Sequence, residues 1–547
     1  MKTFSSARRD LLRIGSLGIT GAALPALAAY GQDKPNASAS APVVFDVRRY
    51  GATGDGKTLD TEAVNHAIDA AAAAGGGLVF FPAGTYLCFS IHLQSNVHLH
   101  LEQGATILAA DSPKIGETTG YNGGTYDAAE PKTAWDNYQD YGHNHWHNSL
   151  IWGEDIHDFS ITGSGLIWGK GLSRGTTHAA TGPGFNAEQS GVGNKAIALK
   201  NCRNVLLRDF SVLKGGHFAL LLTGVDNVTI DNLTLDTDRD GMDLDCCQNV
   251  RVSNCTVNSP WDDGICPKSS YALGYARPTR NLTIANCLVT GYYQLGTVID
   301  GTFKKLDPVA DARVPRNGRI KCGTESNGGF INITMTGCVI EGCKGYALES
   351  VDGALVEDIT IANTTMRDVA DVPLYLRLGA RLRGPKETTK VGTLKRVLIS
   401  NLDCYNAPKV QGSILSGIPD YLIEDVKLSN IYIETAGGGT ADMIQTVPSE
   451  QVDAYPEPNR FGPTPASGFF LRHMRNLEMS HVEIANATPD ARPAFYLSGV
   501  DRADFFAITA PRAAGGAFAL RDVKDLRIGW SRAAADAVLA SADSKML

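Results

Sequence analysis

The chain has 547 residues, with 50 Lys plus Arg against 58 Asp plus Glu, a formal charge of −8. That length is about three times a typical domain, so several domains or one long repetitive one is expected. The acidic balance removes the electrostatic footing of a general nucleic-acid binder. A composition of 43% hydrophobic and 20% charged residues excludes disorder on a large scale.

Arg8-Arg9-Asp10-Leu11-Leu12-Arg13 precedes a mildly apolar stretch from Ile14 to Leu27, with Ala26-Leu27-Ala28 as a small-residue cleavage pattern. The segment resembles a bacterial twin-arginine export signal. It implies a signal peptide over 1–28, a periplasmic or secreted product, and no stable membrane insertion after cleavage, since the stretch is too short to span a bilayer. Residues 29–43 are Pro/Ser/Ala-rich and read as a linker. Asp60-Thr61-Glu62, an Ala-rich run to Ala74 and Gly75-Gly76-Gly77 predict an N-capped, glycine-terminated helix. Its place before the first strands suits a plug over an exposed sheet edge.

One phrase then recurs: Asn or Asp, an apolar residue, alternation, and often a second Asn. Copies start at Asn204, Asn227, Asn249, Asn281, Asn332, Asp358, Arg396, Asp425 and Asn476. The shortest spacing, about 22 residues, is one coil of two or three short strands. Such strands close no core alone and must stack on the next copy. The expectation is an all-β parallel β-helix over 44–535, with 536–547 as a tail. The eleven cysteines are odd in number and lack zinc-type spacing. They read as buried free thiols, with one or two disulfides as the alternative.

The chemistry is expected at Asp236-Thr-Asp238-Arg-Asp240-Gly-Met-Asp243 and at Asp262-Asp263. A 22-residue coil sets Asp240 beside Asp262 and Asp263 on the next rung. Three carboxyls that close cannot all ionise cheaply, which creates a proton donor beside ionised acceptors. That is the division of labour of an inverting glycosidase. A calcium loop starting at Asp236 would need a glutamate where Cys247 stands. Arg319 and Lys321 share a strand face and suit an acidic substrate such as a uronate sugar, with a buried salt bridge to Asp as the alternative.

At these residues the sequence resembles glycoside hydrolase family 28, the polygalacturonases and rhamnogalacturonan hydrolases. The resemblance runs from Phe45-Asp46-Val-Arg-Arg-Tyr50-Gly51-Ala-Thr-Gly54-Asp55-Gly56 through Asp240-Gly-Met-Asp243, Asp262-Asp263-Gly264 and Arg319-Ile-Lys321 to Tyr455-Pro-Glu-Pro458. It implies a right-handed parallel β-helix and metal-independent, inverting hydrolysis without a cofactor. It gives Asp262 the part of general acid, Asp240 and Asp263 that of the water-activating pair, and Arg319 and Lys321 the galacturonate carboxylate. The family's Asn-Thr-Asp reads Asp238-Arg239-Asp240 here, and its Gly-His-Gly reads Gly291-Tyr-Tyr-Gln-Leu-Gly296. Gln294, Tyr293 and Asp238 are therefore expected at the substrate.

His143, His145 and His147 alternate among Trp135, Tyr138, Tyr141 and Trp146. They read as a sugar-stacking loop wall, with a metal site or plain packing as alternatives, while Glu325 and Glu349 are candidates to line the cleft. The chain is thus expected to be a pectin-degrading O-glycosyl hydrolase of polygalacturonase type, acting as a monomer on an acidic plant cell-wall polysaccharide or oligosaccharide. A rhamnogalacturonan hydrolase is the near alternative. A polysaccharide lyase or a non-catalytic glycan-binding β-helix are the alternatives from other classes.

Overall fold

The computed structural model describes residues 43–140, 142–174, 189–305, 314–408, 411–513 and 515–547. The expected signal peptide and nearly all of the expected linker lie outside the described residues. Val44–Leu547 is one compact unit, a parallel β-helix as the repeat predicts.

Each copy of the repeat is a strand, and successive copies pair in parallel so that like residues stack. Val205, Val228, Val250, Leu282, Ile333, Ile359, Val397, Val426 and Leu477 form one such column. All nine are buried. Nearly a rung apart, they fill the interior as one continuous apolar stack. Asn204, Asn227, Asn249, Asn281 and Asn332 sit at φ of 54–58°, a left-handed turn that Asn tolerates better than other side chains. Each of the later four donates its Nδ2 to the Oδ1 of the one before, at 2.9–3.2 Å. The turn residue and the ladder are therefore one device.

The helix Thr61–Ala73 covers the first coil, burying Val64, Ala67, Ile68 and Ala71. Gly75 and Gly76, both at positive φ, end it, and the Gly76 amide donates to the Ala71 carbonyl at 2.9 Å. The start differs from expectation. The Asp60 side chain does not cap the helix; it accepts from the Thr53 and Gly54 amides at 2.6 and 3.0 Å. The expected tail over 536–547 is a second correction. Ala537–Ala542 and Lys545–Met546 pair antiparallel with Phe518–Gly529 and close the last coil. All eleven cysteines are free and buried.

A six-stranded parallel sheet forms another wall of the coil. It runs Ile91–His92, Ile151–Glu154, Lys195–Lys200, Phe218–Thr223, Asp240–Asp245 and Ile265–Lys268. The insertion around 135–147 covers its outer face, where Trp146 packs with Ala198, Phe218, Leu221 and Ala272. At the end of this covering the polar side chains of the last two strands converge.

Candidate active site

The register at the carboxylates is one residue longer than the repeat suggests. Val228 faces Val250, and Asp236 faces Asn258, 22 residues on. Beyond the turn Met242 faces Ile265, 23 residues on. The turn from Asn258 to Asp263 carries one more residue than the turn from Asp236 to Asp240. Asp240 therefore falls opposite Asp263, with the Gly241 amide donating to the Asp263 carbonyl at 2.9 Å. Asp262 falls opposite Arg239, whose Nη2 donates to its Oδ2 at 2.7 Å. Of the two expected neighbours of Asp240 on the next rung, Asp263 is the one directly opposite, and all three carboxyls share one patch.

They line a cavity of about 300 Å³ together with Asp140, Glu325, the cations Arg239, Lys268 and Lys321, and His143, His217 and Tyr455. The charges are individually assigned. The Asp263 carboxylate accepts from Arg319 Nε at 2.8 Å and pairs with the Lys321 ammonium. Burial pushes its pKa up, but Lys321, Arg319 and Lys268 outweigh burial and hold it well below the usual range. Asp262 is likewise pushed up by burial and brought below its ordinary value by Arg239, against repulsion from Asp263. Asp240 has no such partner. Burial first, then Asp262 and Asp243, raise it well above the usual carboxylate range, and its Oδ1 is buried without a hydrogen bond among the described residues. Burial and its acidic neighbours thus favour the neutral form of Asp240, while the cations favour the ionised forms of Asp262 and Asp263.

Behind these lies a second group. Asp243 accepts from or is shared with His143 Nε2 at 3.0 Å, and Lys268 Nζ stands 3.7 Å from Asp243 and 3.3 Å from Glu325. Glu325 is held well below its usual range because Lys268 and His143 overcome its burial. Burial, then Arg239, lowers the pKa of His217 well below its ordinary value. Ligand atoms of His143, Asp240 and Asp243 lie within 4.8 Å of one another, as do those of Glu130, His147 and Glu154. In each cluster a lysine already supplies positive charge, Lys268 in the first and Lys200, 2.8 Å from Glu154, in the second.

Residues 44–258 match the family described as rhamnogalacturonase A/epimerase, pectate lyase-like, and residues 195–368 match the right-handed beta helix region. The chain is a right-handed β-helix of the pectin-lyase-like superfamily. It is 34% identical over 196 residues to plasmin and fibronectin-binding protein A of Streptococcus pneumoniae, covering 34% of this chain and 23% of that one. It is 25% identical over 322 residues to a probable polygalacturonase of Vitis vinifera, covering 54% of this chain and 60% of that one. It therefore spans less than two thirds of either relative. The Yersinia enterocolitica family 28 exopolygalacturonase superposes with a TM-score of 0.60 at 19% identity, over 86% of this chain and 79% of that one, which speaks to the fold.

Several expected site residues stand elsewhere. Arg319 is 2% exposed, and it is spent on Asp263 and on Glu457, 2.6 Å away; the buried salt bridge, and not a groove cation, describes it. Lys321 does line the cavity, with its ammonium already on Asp263. Asp238 pairs with Arg174 at 2.6 Å and is not among the cavity's lining. Tyr293 points away, donating to Glu341 at 3.0 Å and packing on Phe303 at 4.5 Å. Gln294 lies in the strand Tyr293–Leu295, with its side chain outside the described residues.

The three histidines do not share a strand face. His143 enters the cavity, His145 meets Asn148 and Lys195, and His147 meets Glu154. Trp146 is buried packing, with its Nε1 on Thr223 at 3.0 Å, so the sugar-stacking wall is not its role; Tyr141 lies outside the described residues. Glu325 lines the cavity, whereas Glu349 is buried behind it. Lys268 and His217 carry no motif of their own in the sequence. Each sits on a rung neighbouring the carboxylates, so the coil period was the only signal for them.

Proposed function

We propose that the protein is a pectin-degrading glycoside hydrolase of the polygalacturonase type, cleaving an α-linked galacturonate bond with inversion in an acidic plant cell-wall glycan. The observation that carries this reading is the convergence of Asp240, Asp262 and Asp263 on one cavity, with Asp262 on Arg239, Asp263 on Arg319 and Lys321, and Asp240 Oδ1 buried without a hydrogen bond among the described residues. Hydrolysis of a glycoside needs a proton for the leaving oxygen and a base for the attacking water, drawn from carboxyls on either side of the bond. The catalytic trio is Asp240, Asp262 and Asp263, with Asp263 fixed by Arg319 and Lys321. The acidic substrate rests on the likeness to a polygalacturonase, since each cation of the cavity is already paired with a carboxylate. Membership of glycoside hydrolase family 28, a single glycosidase domain over the β-helix and export through the twin-arginine signal complete the proposal.

The alternative within the family is a rhamnogalacturonan hydrolase, favoured by the description of the family that residues 44–258 match. A non-catalytic binding β-helix is favoured by the likeness to plasmin and fibronectin-binding protein A. Incubation with homogalacturonan and rhamnogalacturonan side by side, with products resolved by anion-exchange chromatography, separates these readings. Saturated uronate products from one polymer identify the substrate, and NMR of the first anomer formed tests inversion. Unsaturated, ultraviolet-absorbing ends would indicate a lyase. Binding to both polymers with no cleavage of either would leave only the adhesive role.

A further inference from the structure

Arg239 stands where the family motif quoted above has a small threonine, and it is half-buried at the cavity with its Nη2 on Asp262. Its Nε is buried without a hydrogen bond among the described residues. A guanidinium presents a fork of donors that matches one carboxylate; here Nη2 is on Asp262, Nη1 reaches the Arg174 carbonyl at 3.5 Å and Nε is unused. The other cavity cations are committed more deeply. Lys268 sits between Asp243 and Glu325, and Lys321 on Asp263, each of those side chains at most 5% exposed. The Arg239–Asp262 pair is the accessible one, at 15% and 25%. Removing this counter-ion leaves Asp262 with burial and the repulsion of Asp263, both of which favour its neutral form.

We propose that Arg239 is a displaceable counter-ion: the carboxylate of the incoming sugar takes it from Asp262, and Asp262, left buried beside Asp263, takes up the proton that it delivers as the acid. This rests on the hydrolase reading above and adds how the acid is armed. In the free site Asp262 is the carboxylate paired with Arg239. With substrate bound, Asp262 has taken a proton from solvent. Asp262 then gives its proton to the glycosidic oxygen as the C–O bond breaks. Water adds at the anomeric carbon and loses a proton to Asp240. As the products leave, Asp240 returns that proton to solvent and Arg239 returns to Asp262, so one proton is taken up and one released in each cycle. A neutral sugar leaves Arg239 on Asp262 and the site unarmed.

The test is calorimetric. Asp240→Asn removes the base that takes water's proton and stops turnover, so the proton arriving at Asp262 is read as uptake from solvent. Titration with trigalacturonate at pH 6, in buffers of different ionisation enthalpy, should show uptake of more than half a proton per site. The carboxyl-reduced trisaccharide should show none, and Asp240→Asn/Arg239→Gln should bind at least tenfold more weakly without uptake. Binding without uptake, uptake unchanged by Arg239→Gln, or no binding at all overturns the proposal, while the product analysis judges the hydrolase reading separately. Should Asp240→Asn not fold, Arg239→Gln alone decides. It should move the alkaline limb of kcat/KM upward by a pH unit or more, because that limb reports the free enzyme's acid, with Arg239→Lys restoring it. An unmoved limb refutes the mechanism.

Discussion

Glu349 gives the sharpest test of the electrostatics around the site. It is fully buried, and neither carboxyl oxygen has a hydrogen-bond partner among the described residues. Burial raises its pKa from 4.5 to about 7, against the pull of Lys321 and Arg319. A carboxyl raised in the folded state binds its proton more tightly there than in the unfolded chain. Stability is therefore complete below the ordinary value, falls as pH rises from about 4.5 to about 7, and stays reduced above it. A shift of that size corresponds to about 3 kcal/mol. Glu349→Gln keeps the shape and cannot ionise. Its amide adds a pH-independent offset, because its N–H groups also lack acceptors. Urea unfolding of both proteins at pH 4.5 and 8.5 cancels that offset. The stability difference, variant minus parent, should be about 3 kcal/mol more positive at pH 8.5. The same difference at both pH values would mean that Glu349 ionises normally in the fold, and the account of this buried cluster would fail.

Asp262→Asn should lower kcat on the best pectic substrate by about 10²–10⁴-fold with an unchanged circular dichroism spectrum, as loss of a general acid does; retained turnover rejects the acid assignment. Lys321→Met leaves the buried Asp263 with Arg319 alone, and should destabilise the fold by about 3 kcal/mol in urea unfolding. A stability change below about 1 kcal/mol would mean that water, rather than Lys321, compensates Asp263. Asn281→Ala removes two rungs of the amide ladder at a residue with φ of 54°, and should cost about 2 kcal/mol. Asn281→Gly should recover part of that loss, since glycine relieves the backbone term alone.

The coil architecture was legible because stacking repeats a physical demand. Each rung needs an apolar residue at the column of Val228 and a residue that accepts the left-handed turn at the position of Asn227, mostly Asn or Asp, so the period is written in residue types. The site was legible to within one residue. The repeat spacing, measured from Asn227 to Asn249, does not see the extra residue in the turn Ser259-Pro260-Trp261-Asp262, which carries Asp262 past Asp240 to Arg239. Loop lengths in a solenoid are free of the core's period, because only the strands must stack. The partners of Arg319 were ambiguous for a related reason. Alternation places Arg319 and Lys321 on one face, but whether that face meets a groove or a buried Asp263 depends on Glu457, which arrives from 138 residues away. The family likeness marked the neighbourhood of Tyr455-Pro-Glu-Pro458 without indicating that its Glu457 would claim the guanidinium.

Unsatisfied polar atoms around the cavity bear on whether the cluster is structural or chemical. Asp240 Oδ1, Asp243 Oδ1, Glu325 Oε1, His217 Nδ1 and Arg239 Nε are all buried without a partner among the described residues, and all but Asp243 belong to side chains that line the cavity. Each such atom costs about 1–3 kcal/mol. A network kept only for stability would have been closed by mutual hydrogen bonds or replaced by apolar residues at no loss. Asp245, on the same strand face as Asp243 with one residue between them, accepts from both the amide and the hydroxyl of Ser270 at 2.7 and 2.6 Å. Buried atoms without a partner also occur away from the cavity, on Glu349, Tyr375 and Ser413 among others. What sets the cavity group apart is its place on one wall, where a sugar with several hydroxyls and a carboxylate has the donors and acceptors to fill it. An adhesive surface is the weaker reading, since a binding face has no need to gather three carboxyls at one cavity with cations set on two of them.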